Sequence, residues 1–298
     1  MKKENTAKIK NSGILYICGT PIGNLGDITL RALNTLGEVD LIAAEDTRHT
    51  QKLLNFYKIK KTVTSYHEHN KFEKTTYLIN VLREGKKIAL VSDAGMPGIS
   101  DPGYVLINAA IEENIRIIPI PGVSASLTAL VASGLVKKSF IFEGFLSRKK
   151  SERRKYLIAN KDEKRTIIIY EAPHRIKKTL ADILELWGDR KMTLARELTK
   201  KFEEIIRGSI SDVIMLLNQK KIKGEITLVI QGDMSVKNGT HNELINDDKL
   251  IEEQLKKLFE KGYSHKEIIE ISKENINLSK NMIYKKLLKI RNNHSNLK

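Results

Sequence analysis

Ser92-Asp93-Ala94-Gly95-Met96-Pro97-Gly98-Ile99-Ser100-Asp101-Pro102-Gly103 follows the apolar run Ile88-Ala89-Leu90-Val91 and precedes Tyr104-Val105-Leu106-Ile107-Asn108-Ala109-Ala110. The run reads as a short buried strand and its sequel as a helix. Three glycines, two prolines and two aspartates in twelve residues make a poor core and a good site. Glycine lets a ligand approach the backbone, and proline stiffens the turn. In open α/β sheets, ligands bind at the carboxyl ends of strands. The second half also reads as a helix start, with Asp101 as N-cap and Pro102 at the first helical position. That leaves Asp93-Ala94-Gly95-Met96-Pro97 to a ligand.

The same strand, loop and helix rhythm extends in both directions. Ile14 to Cys18 reads as a strand leading into Gly19-Thr20-Pro21-Ile22-Gly23-Asn24, with a helix from about Asp27. Leu41 to Ala44 is a second strand, ending at Glu45-Asp46-Thr47-Arg48-His49 before a helix from Thr50 to Phe56. Val63 to Tyr66 is a third, and Ile115 to Ile120 closes the half. Strands alternating with helices predict a parallel sheet. Downstream, Gly122-Val123-Ser124-Ala125-Ser126 opens another helix. Strands are expected at Phe140–Phe145, Thr166–Tyr170, Met192–Arg196 and Glu225–Gln231, with a helix at Ile210–Asn218, giving an α/β unit with a mixed sheet. Met234 to Asp248 turns polar and reads as a linker. Leu250–Phe259, Ser264–Glu274 and Ser279–Leu288 read as three short helices of helix-turn-helix type, the second opened by a Ser264/Glu267 capping box. The expected divisions are a basic tail 1–12, α/β domains 13–121 and 122–233, a linker 234–248 and a helical domain 249–298.

The 298 residues include 41% hydrophobic and 30% charged, a globular balance with room for two domains. The single cysteine, Cys18, lies in an apolar run, which excludes an internal disulfide framework and a cysteine-rich zinc site and reads as a core residue. No signal segment or membrane-spanning run is evident, so a cytoplasmic soluble protein is expected. The net charge of +16 favours a polyanionic partner, nucleic acid before membrane. It is densest from Arg148 to Arg165, where nine Lys/Arg face three Asp/Glu; this segment, with Arg153 and Arg154 at its centre, is an expected RNA contact. The G-x-G-x-x-G spacing and a P-loop are both missing, and no metal cluster is expected; His67-Glu68-His69 diverges on an extended backbone.

Four loops share one character: Gly19–Asn24, Glu45–His49, Ser92–Gly103 and Gly122–Ser126. Each follows an expected parallel strand, so all belong on one sheet edge, and they suit a flexible ligand held by main chain. Together with Pro119–Ser126, Tyr170-Glu171-Ala172-Pro173-His174-Arg175 and Arg196-Glu197-Leu198-Thr199-Lys200, in this order and spacing, they resemble the bacterial 16S ribosomal RNA (cytidine) ribose 2′-O-methyltransferases, a group within the tetrapyrrole methylase superfamily. The resemblance runs from about residue 12 to 232, and the three-helix tail is similar to that group's C-terminal domain.

The resemblance implies S-adenosylmethionine bound in the cleft between two α/β domains, no metal, a homodimer, and a cytidine in the decoding centre of 16S rRNA in the 30S subunit as acceptor. Carried onto this chain, Pro21 and Ile22 would line the donor pocket. Asp93, Gly95 and Met96 would contact the methionine and ribose portions, and Ser124 and Ala125 would hold the donor from the fifth strand's loop. Tyr170, Ala172 and Thr227 would approach the adenine. Among the acids and imidazoles expected at the edge (Asp46, His49, His67 and Glu171), Asp46 or Glu171 is the expected base or ribose-orienting group, with His67 a further candidate. Arg48 and Arg175 are expected on flanking phosphates. Three other readings compete: a corrin or porphyrin C-methyltransferase, a methyltransferase of diphthamide synthesis, and a non-catalytic RNA-binding protein that would leave the glycine-rich pocket without purpose.

Overall fold

A computed structural model describes residues 13–135, 138–234, 248–260, 263–273 and 280–295. The expected tail 1–12 and nearly all of the expected linker lie outside the described residues. The first half runs β1 (Ile14–Cys18), α1 (Leu30–Glu38), β2 (Leu41–Ala44), α2 (Thr47–Phe56), β3 (Val63–Ser65), α3 (Lys71–Arg83), β4 (Lys87–Val91), α4 (Gly103–Glu112) and β5 (Arg116–Ile120). Its strands are all parallel, in the order β3-β2-β4-β1-β5. Side chains alternate between faces along a strand. Accordingly Leu15, Ile17, Leu41, Ala43, Ile88 and Leu90 feed one core, while Cys18, Ile42, Ala44, Ala89 and Val91 feed the other. Two buried faces explain why these strands read as unbroken apolar runs.

The second half contains α5 (Ala125–Ser133), β6 (Phe140–Phe145), α6 (Lys150–Ala159), β7 (Thr166–Glu171), α7 (Ile176–Trp187), β8 (Lys191–Arg196), β9 (Glu204–Ser209), α8 (Ile210–Asn218) and β10 (Ile226–Ile230). The sheet order is β6-β7-β10-β8-β9, with β6 and β7 parallel and the other pairs antiparallel. The sequence reading lacked β9. It is a half-buried edge strand paired on one side, and its two isoleucines sit among charges without clear alternation.

Three expected helix starts shift, α2 among them, which begins at Thr47 rather than Thr50. The helix expected near Asp27 begins at Leu30, where the Thr29 hydroxyl accepts from Ala32 N–H after a separate 3-10 turn at Leu25–Asp27. The cap of α4 is Pro102 rather than Asp101; the Asp101 carboxylate accepts from both Gly98 and Gly103 N–H at 2.8 Å, closing the loop on itself.

Met1–Met234 and Ser235–Lys298 form two compact units. The second holds α9 (Asp248–Glu260), α10 (His265–Lys273) and α11 (Lys280–Ser295) around Ile251, Leu255, Ile268, Ile283 and Leu287. The capping box is present: Ser264 N–H donates to Glu267 Oε2, and Glu267 N–H to Ser264 Oγ. No described helix is long and apolar enough to cross a membrane.

Candidate functional site

In the first sheet β1 and β4 are neighbours, but the chain leaves them in opposite directions, β1 toward β2 and β4 toward β5. Such a reversal opens a crevice at the carboxyl edge. The loops after these two strands meet there: Thr20 N–H donates to Gly95 O at 2.9 Å, and Gly95 N–H returns a bond to Thr20 O at 3.0 Å. Gly95 has φ +84°, the left-handed region that favours glycine. Gly19 lies so close to Gly122 that a Cβ there would stand 2.7 Å from Gly122 Cα, which draws the loop after β5 into the same cluster.

The second sheet closes the crevice. Tyr170, Thr227 and Ala195 are neighbouring rungs on β7, β10 and β8. The Tyr170 ring is held edge-on by Phe142 at 4.9 Å and Phe145 at 5.6 Å, and burial pushes its phenol above the ordinary tyrosine range. Between the sheets lies a cavity of about 360 Å³, within the size range of small-molecule sites. Ile22, Asp93, Gly95, Met96, Ser124, Ala125, Tyr170, Ala172 and Thr227 line it together. Pro21 is buried beside Ile22 but does not line it.

Ala94, within the stretch assigned to a ligand, is on the wall too, whereas sequence reasoning missed Glu45, Ser92, Ile99, Ser100, Asp101, Phe145, Pro173, Ala195, Leu198, Gly224, Glu225 and Ile226. Asp101 is thus a cavity residue as well as a loop clasp. Ser100 adopts φ +65° although it is not glycine, a strained backbone at the cavity wall. Ala195 carries no chemical signal and is placed only by its register opposite Thr227.

The wall carries five carboxylates (Glu45, Asp93, Asp101, Glu171 and Glu225) and, among the described residues, no Lys, Arg or His. Their states differ. Glu171 is 2% exposed and saturated: it accepts from Ala172 N–H at 2.7 Å and Thr179 Oγ1 at 2.5 Å and pairs with Arg175 Nε at 3.0 Å. Glu225 pairs with Lys200 at 3.0 Å. Asp93 Oδ1 accepts from Asp46 N–H at 2.9 Å, and Glu45 Oε2 accepts from Asp93 N–H at 3.3 Å, so the loops after β2 and β4 clasp each other. Burial, with the Asp93 and Asp101 carboxylates nearby, raises the Glu45 carboxyl above its ordinary value; the Asp93 N–H and His67 act against that.

Several of the expected site residues have other partners in the fold. Glu171 anchors the turn into α7 through Ala172 N–H, Thr179 Oγ1 and Arg175 Nη2. Asp46 caps α2, and two bonds from Arg48 hold its carboxyl far below the usual range. Neither Asp46, His49 nor His67 lines the cavity. The His67 ring stacks edge-on with His69 at 6.0 Å. Arg153 is 5% exposed and pairs with Asp182 at 2.6 Å, so it is not available to a phosphate. Arg154 is shared between Asp182 and Glu185, and Arg175 is turned inward onto Glu171 and Leu146 O. Only Arg48 of the four expected arginines is exposed, its side chain at 87%. No group of His, Cys, Asp or Glu suited to a metal occurs among the described residues.

Known proteins are similar to this chain in sequence and fold. Residues 14–214 match the sequence model of the Tetrapyrrole (Corrin/Porphyrin) Methylases. The ribosomal RNA small subunit methyltransferase I of Bacillus subtilis (strain 168) is 46% identical over 278 residues, 91% of this chain and 93% of that protein. The protein of the same name from Thermotoga maritima is 52% identical over 220 residues, 74% of this chain and 99% of that one. Among solved structures, a cobalt precorrin-4 methyltransferase of cobalamin biosynthesis superposes with a TM-score of 0.56 at 20% identity, over 73% of this chain and 94% of its own.

Proposed function

The chain belongs to the tetrapyrrole (corrin/porphyrin) methylase family and groups with the ribosomal RNA small subunit methyltransferases I, and from that premise we propose that it methylates the ribose 2′-hydroxyl of a cytidine in the decoding centre of 16S rRNA, using S-adenosylmethionine. One observation carries this reading: a cavity walled by carboxylates without a basic side chain, inside a chain of net charge +16. A cation held in water-poor surroundings needs opposite charge nearby. The donor brings a sulfonium and an ammonium, and when bound it supplies an electrophilic methyl group.

The residues that fit it divide by chemistry. Asp93 and the Gly95-Met96 backbone face the polar methionine and ribose portions, Ser124 and Ala125 hold them from α5, and Tyr170, Ala172 and Thr227 offer a flat apolar wall to the adenine. Ile22 separates donor from solvent. The protein's part in the transfer is to fix donor and hydroxyl in line and exclude water, which can supply much of the acceleration.

An acceptor rich in carboxylates, as corrin and porphyrin precursors are, would meet only like charge on this wall. RNA can leave its phosphates outside on the basic surface and present a neutral ribose. A homodimer working in the cytoplasm completes the proposal; exposed Leu127 and Val131 on α5 provide apolar surface for a second copy. The test is incubation with labelled donor and 30S subunits, free 16S rRNA or a uroporphyrinogen-type tetrapyrrole, followed by mapping of the product. Label on a cytidine ribose of 16S rRNA is expected; label on a base, or on the tetrapyrrole alone, overturns the reading.

A further inference from the structure

We propose that Glu45 is the catalytic base of the transfer, its carboxylate receiving the proton of the acceptor ribose hydroxyl; this rests on the ribose 2′-O reading above. The five wall carboxylates are not equivalent. Glu171 is saturated by three donors, Asp101 holds two backbone N–H groups, and Glu225 is bound to Lys200. Asp93 is engaged with Asp46 N–H. Glu45 accepts one long bond, 3.3 Å from Asp93 N–H to Oε2, and among the described residues Oε1 accepts none. Its hold is the loosest of the five, since Asp93 is bound at 2.9 Å, Asp101 twice at 2.8 Å and Glu225 by Lys200 at 3.0 Å.

Its place in the chain supports the same role. Two residues beyond Glu45 the backbone enters a shallow outer depression lined by Thr47, Arg48, Gln51, Lys52, Asn55 and Val63. Its lining holds two cations, Lys52 and the exposed Arg48, the latter paired with Asp46 at 2.8 Å. A single-stranded RNA segment with phosphates on Arg48 and Lys52 would bring a ribose to the rim where Glu45 stands. Direct phosphate contacts of this kind position a substrate without reading its sequence.

The step balances. The ribose oxygen forms a bond to the methyl carbon as the carbon–sulfur bond of the sulfonium donor breaks, the sulfur leaves as a neutral thioether, and the O–H proton passes to the Glu45 carboxylate. Glu45 faces Asp93 and Asp101 from the loop after β4 and His67 from the loop after β3. Burial, with the Asp93 and Asp101 carboxylates, raises its carboxyl above the ordinary value against the pull of Asp93 N–H and His67, the direction that favours a base.

The test compares wild type, Glu45→Gln and Glu45→Asp on 30S subunits, with S-adenosylhomocysteine affinity measured by calorimetry and RNA affinity by filter binding. Glu45→Gln is expected to lose about 100-fold or more in kcat, the range for removal of a general base. Its affinity for S-adenosylhomocysteine and RNA should stay within about threefold, and the acidic limb of its kcat profile should vanish. Glu45→Asp should restore part of the rate and the limb. The proposal is overturned if Glu45→Gln turns over within about threefold of wild type, or if lost donor affinity accounts for the whole defect, or if the limb persists. A wild type without ribose product on 30S subunits would overturn the ribose reading first, and Glu45's role with it.

Discussion

The cavity wall and the Arg148–Arg165 segment treat charge in opposite ways. On the wall, Glu45, Asp93 and Asp101 line a cavity without a basic side chain, and their hydrogen bonds come from backbone N–H groups. In the segment, four of the nine cations, the central arginines among them, are matched on the spot. Arg153 and Asp182 are 6% and 7% exposed at their side chains and 2.6 Å apart; Arg154 reaches Asp182 and Glu185; Arg165 pairs with Glu163 at 2.8 Å, and Lys149 with Glu152 at 3.0 Å. The segment looked the stronger site by charge count, yet its central arginines clamp α6 to α7. Charge left without a counter-charge at a concave surface is what a ligand can complete; charge already paired mainly holds the fold.

The largest effect should come from breaking the clamp. Asp182→Ala leaves Arg153 buried without its partner, and removal of one member of a buried pair costs about 3–5 kcal/mol. Thermal and urea unfolding should show it, while Arg153→Met with Asp182→Leu should recover most of the loss. Should Arg153→Ala leave the unfolding midpoint unmoved yet weaken RNA binding, the assignment of this arginine to structure is wrong.

Next comes the wall. Asp93→Ala removes a charged acceptor opposite the donor, and such bonds are worth about 1.5–3 kcal/mol, or roughly 10- to 100-fold in Kd. Calorimetry with S-adenosylhomocysteine measures it; unchanged affinity would take Asp93 out of the donor site.

The outer depression and α6 can be compared by salt. Arg48→Ala and Lys52→Ala should each reduce the slope of log affinity against log salt by about 1, whereas Arg154→Ala should leave it unchanged. Equal slopes for all three variants would mean that the exposed Arg48 and Lys52 are no more open to a phosphate than the doubly paired Arg154.

The smallest effect concerns acid stability. Arg165 holds the Glu163 carboxyl down to about 2 from an ordinary 4.5. A carboxyl lowered by folding stabilises above its unfolded value and loses that contribution as pH falls through the folded one. Glu163→Gln should therefore flatten the stability profile between those two pH values, by no more than about 1 kcal/mol for so exposed a pair. An unaltered profile would mean that Arg165 is available after all.

Much of the fold was legible because its signals are local. The apolar runs at Ile14–Cys18, Leu41–Ala44 and Ile88–Val91 pack on both faces, and each gives way to a loop before a helix, glycine-rich after the first and third. Cys18 reads as core and is core: it is fully buried, and burial pushes its thiol up to about 12. Edge strand β9 was not legible, because one solvated side removes the apolar run that marks the others. In the site, Glu45 and Asp46 were indistinguishable as adjacent acids. The fold separates them, since one ends the β2 strand edge facing the cavity and the other caps α2.

The sequence by itself determined the strand-and-helix order apart from edge strand β9, the loop cluster that makes a pocket and the family, since backbone periodicity, glycine and proline act over a few residues. Tertiary structure alone decided which charges remain available. Arg153 meets Asp182 across 29 positions, Asp93 meets Asp46 across 47, and Ala195 becomes a wall residue only through its rung beside Thr227. Coulombic and hydrogen-bond partners are chosen by distance in space, and the chain order of residues does not carry that distance.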